Sequence, residues 1–220
     1  MTTLFEQTET CHICGSEVDY MAVGSTNTFG SPDLDTRPPE MARSTITFWI
    51  RECASCGYCA PDLSREQAQA EQTVRSSAYK SQLNHSAYPQ LANRFLCWAM
   101  VQEAAGVYPS AGWAAVHAAW ACDDANSPDA ADQCRLRAAQ LFQEAKANNS
   151  RFAQGAGMEE AILADLLRRS GRFEEAEMVC RQGLDAGAED VVKQVLTFQA
   201  RLARQHDRKP YTIEEVEGAE

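Results

Sequence analysis

Cys11-His12-Ile13-Cys14-Gly15 and Cys53-Ala54-Ser55-Cys56-Gly57 are one five-residue device used twice in a chain of 220 residues. A CxxC turn sets two thiolates on one side of a knuckle. The glycine that follows takes a positive φ without a Cβ clash, and backbone N–H groups turn toward the sulfurs. Two such knuckles complete a tetrahedral four-sulfur site, so the expected metal ligands are Cys11, Cys14, Cys53 and Cys56. The 38 residues between Cys14 and Cys53 leave room for one hairpin and an ordered loop. Four thiolates around a divalent cation leave a net double negative charge, which N–H donors near solvent accommodate better than a dry core. Structural Zn2+ is the expected ion. Iron in the same tetrahedron is the alternative, because an acidic module with Phe48 and Trp49 beside the second knuckle has the makings of a rubredoxin-like electron carrier. Cys59 creates an overlapping CxxC with Cys56 but is read as a small packed residue, and His12 as an exposed residue of the first knuckle.

Outward from the knuckles the chain changes grammar. Residues 1–62 are rich in Gly, Pro, Thr and Asp, and the run Ser44-Thr45-Ile46-Thr47-Phe48-Trp49-Ile50-Arg51 has the β-branched and aromatic content of a strand. From Ser64 the text turns to Ala, Gln, Leu, Arg and Glu, and Ser64 with Gln67 has the form of a capping box. Breakers then predict helices over 65–82, 89–105, 110–123, 129–148, 157–170, 173–187 and 189–205. The short connections make neighbours antiparallel hairpins. The fold class expected is mostly α: a small β zinc-ribbon-like module over 1–62, then helical hairpins of tetratricopeptide-like type over 63–205. The acidic stretch 206–220 holds too little apolar surface to offset ordering and is expected to be disordered.

Charge excludes more than it includes. The formal net charge is -11, and residues 1–62 carry Arg37, Arg43 and Arg51 against nine carboxylates. Phosphate backbones need the opposite sign across the contact, so no nucleic-acid partner is expected despite the finger-like cysteines. The longest apolar stretch, residues 113–122, is broken by His117 and is far short of the roughly 20 residues that cross a bilayer, so no membrane partner is expected either. The first residues lack a basic and an apolar signal region, which predicts a cytoplasmic chain whose nine cysteines are reduced.

Several segments together resemble a known family. These are the CxxCG pair, Pro32-Asp33-Leu34-Asp35-Thr36-Arg37-Pro38, the Cys53 to Tyr58 knuckle, and Ala118-Ala119-Trp120. They resemble the bacterial family catalogued as domain of unknown function 2225, over about residues 8–184, with the Asp-x-Arg-Pro segment the most discriminating. The resemblance implies a zinc-ribbon-like cysteine module joined to a tetratricopeptide-like helical tail, and it implies no activity. Position 59 departs from it, being Cys where a small apolar residue is expected.

Asp33, Asp35 and Arg37 read as an internal ion pair that fixes their loop against the ribbon rather than as an acid–base set. In the helical half, Gly171-Arg172-Phe173-Glu174-Glu175-Ala176 with Cys180 and Gly183 reproduces the second helix of a tetratricopeptide unit, and Leu163, Ala164 and Leu167 fit its first. Stacked units leave a concave surface for a peptide or helix, with Ala161 and Asp165 at the positions that would read a ligand. Trp113, His117 and Trp120 share one helical face and read as packing, with His117 hydrogen-bonded in the core. No catalytic motif occurs. The function expected is a non-catalytic zinc-binding adaptor whose helical platform takes a protein or peptide partner.

Overall fold

The hairpin β1 (Thr3–Thr10) and β2 (Glu17–Ser25) opens the computed structural model, which describes residues 1–218. The strands pair antiparallel from Leu4↔Val23 to Thr10↔Glu17, so the first knuckle is the hairpin's own turn. A second, shorter hairpin, β3 (Arg51–Glu52) with β4 (Cys59–Ala60), is closed in the same way by the second knuckle. The rest is helical: α1 (Ala70–Arg75), α2 (Ser77–Leu83), α3 (Gln90–Ala104), α4 (Tyr108–Asp124), α5 (Pro128–Ala147), α6 (Met158–Arg169), α7 (Phe173–Asp185), α8 (Asp190–Arg204) and α9 (Ile213–Glu217). The chain is mostly α with a small β module at its start.

Three local expectations are corrected. Residues 44–50 are not a strand: Arg43–Phe48 is a 3-10 helix, and of the expected run only Arg51 enters β3. Thr45 and Trp49, like Ile46 and Ile50, are four apart. That spacing puts all four on the packed side, with Thr45 Oγ1 donating to Ala42 O (2.7 Å) and accepting from Trp49 Nε1 (2.9 Å). The Ser64 capping box does not form, because Ser64 turns back to Asp62 Oδ1 (2.6 Å) and helix begins only at Ala70. The single helix expected over 65–82 is two, broken at Ser76, whose backbone is extended and whose hydroxyl accepts from Tyr79 N at 3.2 Å.

The helices pack through small residues. Ala111, Ala114, Ala115, Ala118, Ala119 and Ala121 of α4 are all buried, which lets α3 and α5 approach from two sides. At Gly112 the approach is closest, since a Cβ there would meet the ring of Phe142. That ring stacks on Phe152 at 4.0 Å, whose carbonyl accepts from Trp113 Nε1 at 2.9 Å. Helix α6 touches both α7 and α8, the stacking a helix-pair repeat requires. Among the described residues no helix is long and apolar enough to cross a membrane.

The segment from His206, expected to be disordered, is ordered through Gly218; positions 219 and 220 of that expectation lie outside the described residues. Its backbone pairs with the ribbon loop: Leu34 N donates to Tyr211 O (2.9 Å) and Ile213 N to Pro32 O (3.0 Å). Arg168, fully buried, donates to Asp207 O (2.8 Å) and Lys209 O (2.9 Å). A capping box of Thr212 and Glu215 opens α9, and Val216 closes it onto the core. Backbone pairing and one buried guanidinium here add to the few apolar contacts of Tyr211, Ile213 and Val216.

Candidate metal centre

Both knuckles repeat one hydrogen-bond pattern. Cys11 N donates to Ser16 O (2.9 Å) and Gly15 N to Cys11 O (2.8 Å). In the second, Cys53 N donates to Tyr58 O (2.8 Å) and Gly57 N to Cys53 O (2.7 Å). These closures need Gly15 and Gly57 at φ of 73° and 77°, in the left-handed region. The two hairpins are stapled face to face. Arg51 of β3 lies over the Tyr20 ring of β2, 3.6 Å from its centroid, and pairs with Glu9 of β1 at 3.6 Å, while His12 N donates to Leu63 O at 2.8 Å.

The stapling brings together the four cysteines expected as ligands. Cys14 Sγ lies 3.5 Å from Cys53 Sγ, Cys11 Sγ lies 3.8 Å from Cys56 Sγ, and all four sulfurs are within 4.8 Å of one another. A tetrahedron with metal–sulfur bonds of about 2.3 Å has edges of about 3.8 Å, so the donor set fits one tetrahedral ion. Cys11 and Cys53 are buried, Cys56 is half-buried and Cys14 is exposed, which leaves one edge of the site at the surface. The N–H groups of Ile13 and Cys14 bond to the Cys11 sulfur and that of Tyr58 to Cys56. Burial pushes the Cys11 and Cys56 thiols up, whereas Ser16, through its hydroxyl and its N–H, pulls Cys14 down to about 6. Inward-facing amide dipoles are what a thiolate cluster around a cation needs.

Cys59 takes no part in the cluster. It is fully buried, its N–H donates to Tyr79 Oη at 2.9 Å, and that hydroxyl donates to Gly57 O at 3.0 Å. Tyr79 of α2 thus grips the second knuckle from below, a support no local pattern could have revealed. His12 is exposed and outside the cluster.

The other singled-out residues fall elsewhere. Asp33, Asp35 and Arg37 do not pair with one another through their side chains. Asp33 binds Arg43 (2.5 Å). Asp35 accepts from Trp120 Nε1 (2.7 Å) and Arg169 (3.1 Å), and Arg37 binds Asp124 (2.6 Å). The loop is fixed mainly against α4 and α6, not against the ribbon. His117 has aromatic neighbours rather than a hydrogen bond: its ring lies 4.9 Å from Trp120, 5.2 Å from Trp49 and 5.4 Å from Phe95, and burial pulls its pKa down to about 4. Ala161 and Asp165 do not line a groove, since both are buried and Asp165 pairs with Arg168 at 2.6 Å. Compared with protein-family models, with curated proteins and with solved structures, the chain matches none of them.

Proposed function

We propose that this chain is a non-catalytic adaptor in which Zn2+ closes the ribbon and the helices carry a protein-binding platform, in line with the resemblance to domain of unknown function 2225. The observation that carries the reading is the closed four-thiolate set within 4.8 Å. With every tetrahedral position taken by protein sulfur, no position is left open for a substrate, as a catalytic zinc site requires. Cys11, Cys14, Cys53 and Cys56 would hold the ion, and its contribution is to cross-link two hairpins too small to fold on their own.

The partner surface is supported by apolar side chains left in the open. Leu4, Phe5, Met21 and Phe29 are 42%, 44%, 37% and 62% exposed on and beside the β1–β2 hairpin. Two measurements test the reading together. Metal analysis of the purified protein is expected to give one equivalent of zinc; iron with visible thiolate absorbance would overturn the zinc assignment in favour of the electron carrier. Affinity capture is expected to retain a defined protein that a Phe5→Ser/Phe29→Ser variant with intact zinc content loses. Retention of nothing specific by the native chain would remove the adaptor role.

A further inference from the structure

Cys122, at the end of α4, and Cys134, in the first half of α5, face each other with their sulfurs 3.9 Å apart. Both are free thiols and both are buried. A disulfide needs about 2.05 Å, so each sulfur has to travel only about 1 Å, and the three-residue link between the helices already holds the two chains side by side. A pocket of about 310 Å³ between α3 and α5, lined by Gln82, Tyr88, Leu96, Met100 and Gln133, includes Cys134 in its wall. Cys59 and Cys97 make a second buried thiol contact, and they also bond to Gly57 O at 3.5 Å and Tyr79 O at 3.8 Å, but neither lines this pocket.

The surroundings give the pair a consequence. Cys122 precedes Asp123 and Cys134 precedes Arg135, and Asp123 accepts from both Arg135 and Arg169. Arg169 in turn holds Asp35 of the ribbon loop. The thiols therefore sit one residue from each end of the ion pair that anchors the junction.

We propose that Cys122 and Cys134 form a reversible dithiol–disulfide site, oxidised by a small peroxide that reaches Cys134 through this pocket, and that its closure alters the ion pairs holding residues 33–37 on the helices. The two thiols are hydrogen-bonded to each other and either sulfur can be the donor, so the pair can share one proton. Loss of one proton to solvent, with the shared proton held on Cys122, leaves the thiolate on Cys134, where it attacks one oxygen of hydrogen peroxide. An S–O bond forms, the O–O bond breaks, and hydroxide leaves and is protonated to water. The Cys122 sulfur then attacks the Cys134 sulfenic acid, the S–S bond forms, and the S–O bond breaks to release the second water. Two thiols lose two electrons and two protons, and one peroxide becomes two waters.

The test treats the intact, metal-loaded protein with hydrogen peroxide and digests it with a protease that cuts before aspartate, since Asp123, Asp124, Asp129 and Asp132 separate the two cysteines. Mass spectrometry is expected to find a 122–134 linkage that dithiothreitol reverses, formed about tenfold faster than any modification of Cys97 or Cys180. Cys122→Ala and Cys134→Ala are expected to abolish it, and the linkage in the unaltered chain stands as evidence even where those variants fold poorly. A pair that stays reduced while other thiols react, or a Cys134 linked only to a knuckle cysteine, would overturn the site. Amide exchange over residues 33–37 is expected to change on oxidation; linkage without that change would overturn the coupling to the junction.

Discussion

Asp35 and Arg169 are 134 positions apart in the chain and meet in a buried ion pair at 3.1 Å, one on the ribbon loop and the other at the end of α6. Burial alone would weaken the charge on Arg169, and Asp35, Asp165 and Asp123 more than offset it. Trp120 supplies the second donor to the same Asp35 oxygen. The β module and the helices are therefore joined by charge pairing in a dry interface as well as by apolar contact.

Removing the Asp35 carboxylate leaves buried donors without their acceptor. Asp35→Ala is expected to cost about 3–5 kcal/mol of unfolding free energy. Asp33→Ala should cost far less, about 1 kcal/mol, because its partner Arg43 is 27% exposed and also reaches Pro38 O. Denaturant unfolding of the two variants checks the order, and equal losses would contradict the junction as described.

Structural metal binding is coupled to folding, so Cys11→Ser and Cys56→Ser are expected to lose the ion and unfold the ribbon. Most of the helical circular dichroism should persist, since α3 to α8 pack chiefly on one another even though the ribbon residues Cys11, Cys53 and Tyr58 share their buried cluster. Metal content and far-ultraviolet spectra of both variants, and of the native chain after chelation, decide this. Full metal retention by both variants would show that the ligands are misassigned.

His117 is neutral in the folded protein down to about pH 4, whereas the unfolded chain takes up its proton near the ordinary value of 6.5. Between those values the unfolded state binds more protons, so stability is fully present above pH 6.5 and falls as the pH drops toward 4. The loss is about 3 kcal/mol at most. His117→Phe is expected to flatten this part of the pH–stability curve. A variant curve parallel to the native one from pH 7 to pH 4 would refute the assignment.

Gly112 has no room for a side chain against Phe142. Gly112→Ala gains helix propensity on α4 but forces the α4–α5 contact apart, and a net loss of about 1–3 kcal/mol is expected. Thermal unfolding measures it, and a stabilised variant would show that the helices separate at little cost.

Nucleic acid is expected not to bind. Arg37, Arg43 and Arg51 are each held by a carboxylate, Asp124, Asp33 and Glu9, so the three cations of the ribbon module present no free patch. Duplex DNA and single-stranded RNA should show no salt-sensitive retention at low ionic strength. A shift that weakens steeply with salt and disappears on neutralising those arginines would revive that role.

The four-cysteine cluster was legible because a tetrahedral site needs little more than two short-range turns: CxxCG contains the thiols and the glycine that each turn demands. The helices from α3 to α8 were legible for a similar reason, as Pro, Gly and Asn mark their ends. Residues 44–51 misled because β-branched content outweighed a four-residue spacing that only packing could reveal.

The sequence by itself determined where four thiols could converge, that the segments of α3 to α8 are helical, and which charge the ribbon carries, since each follows from neighbours within a few residues. Only the tertiary structure decided that the 32–38 loop is clasped between α4, α6 and the segment after His206, that Tyr79 supports the second knuckle, and that Cys122 meets Cys134. Those contacts depend on a few groups distant in the chain arriving together in low dielectric. There an Asp, a guanidinium or a backbone carbonyl gains a partner because leaving it unpaired is costly.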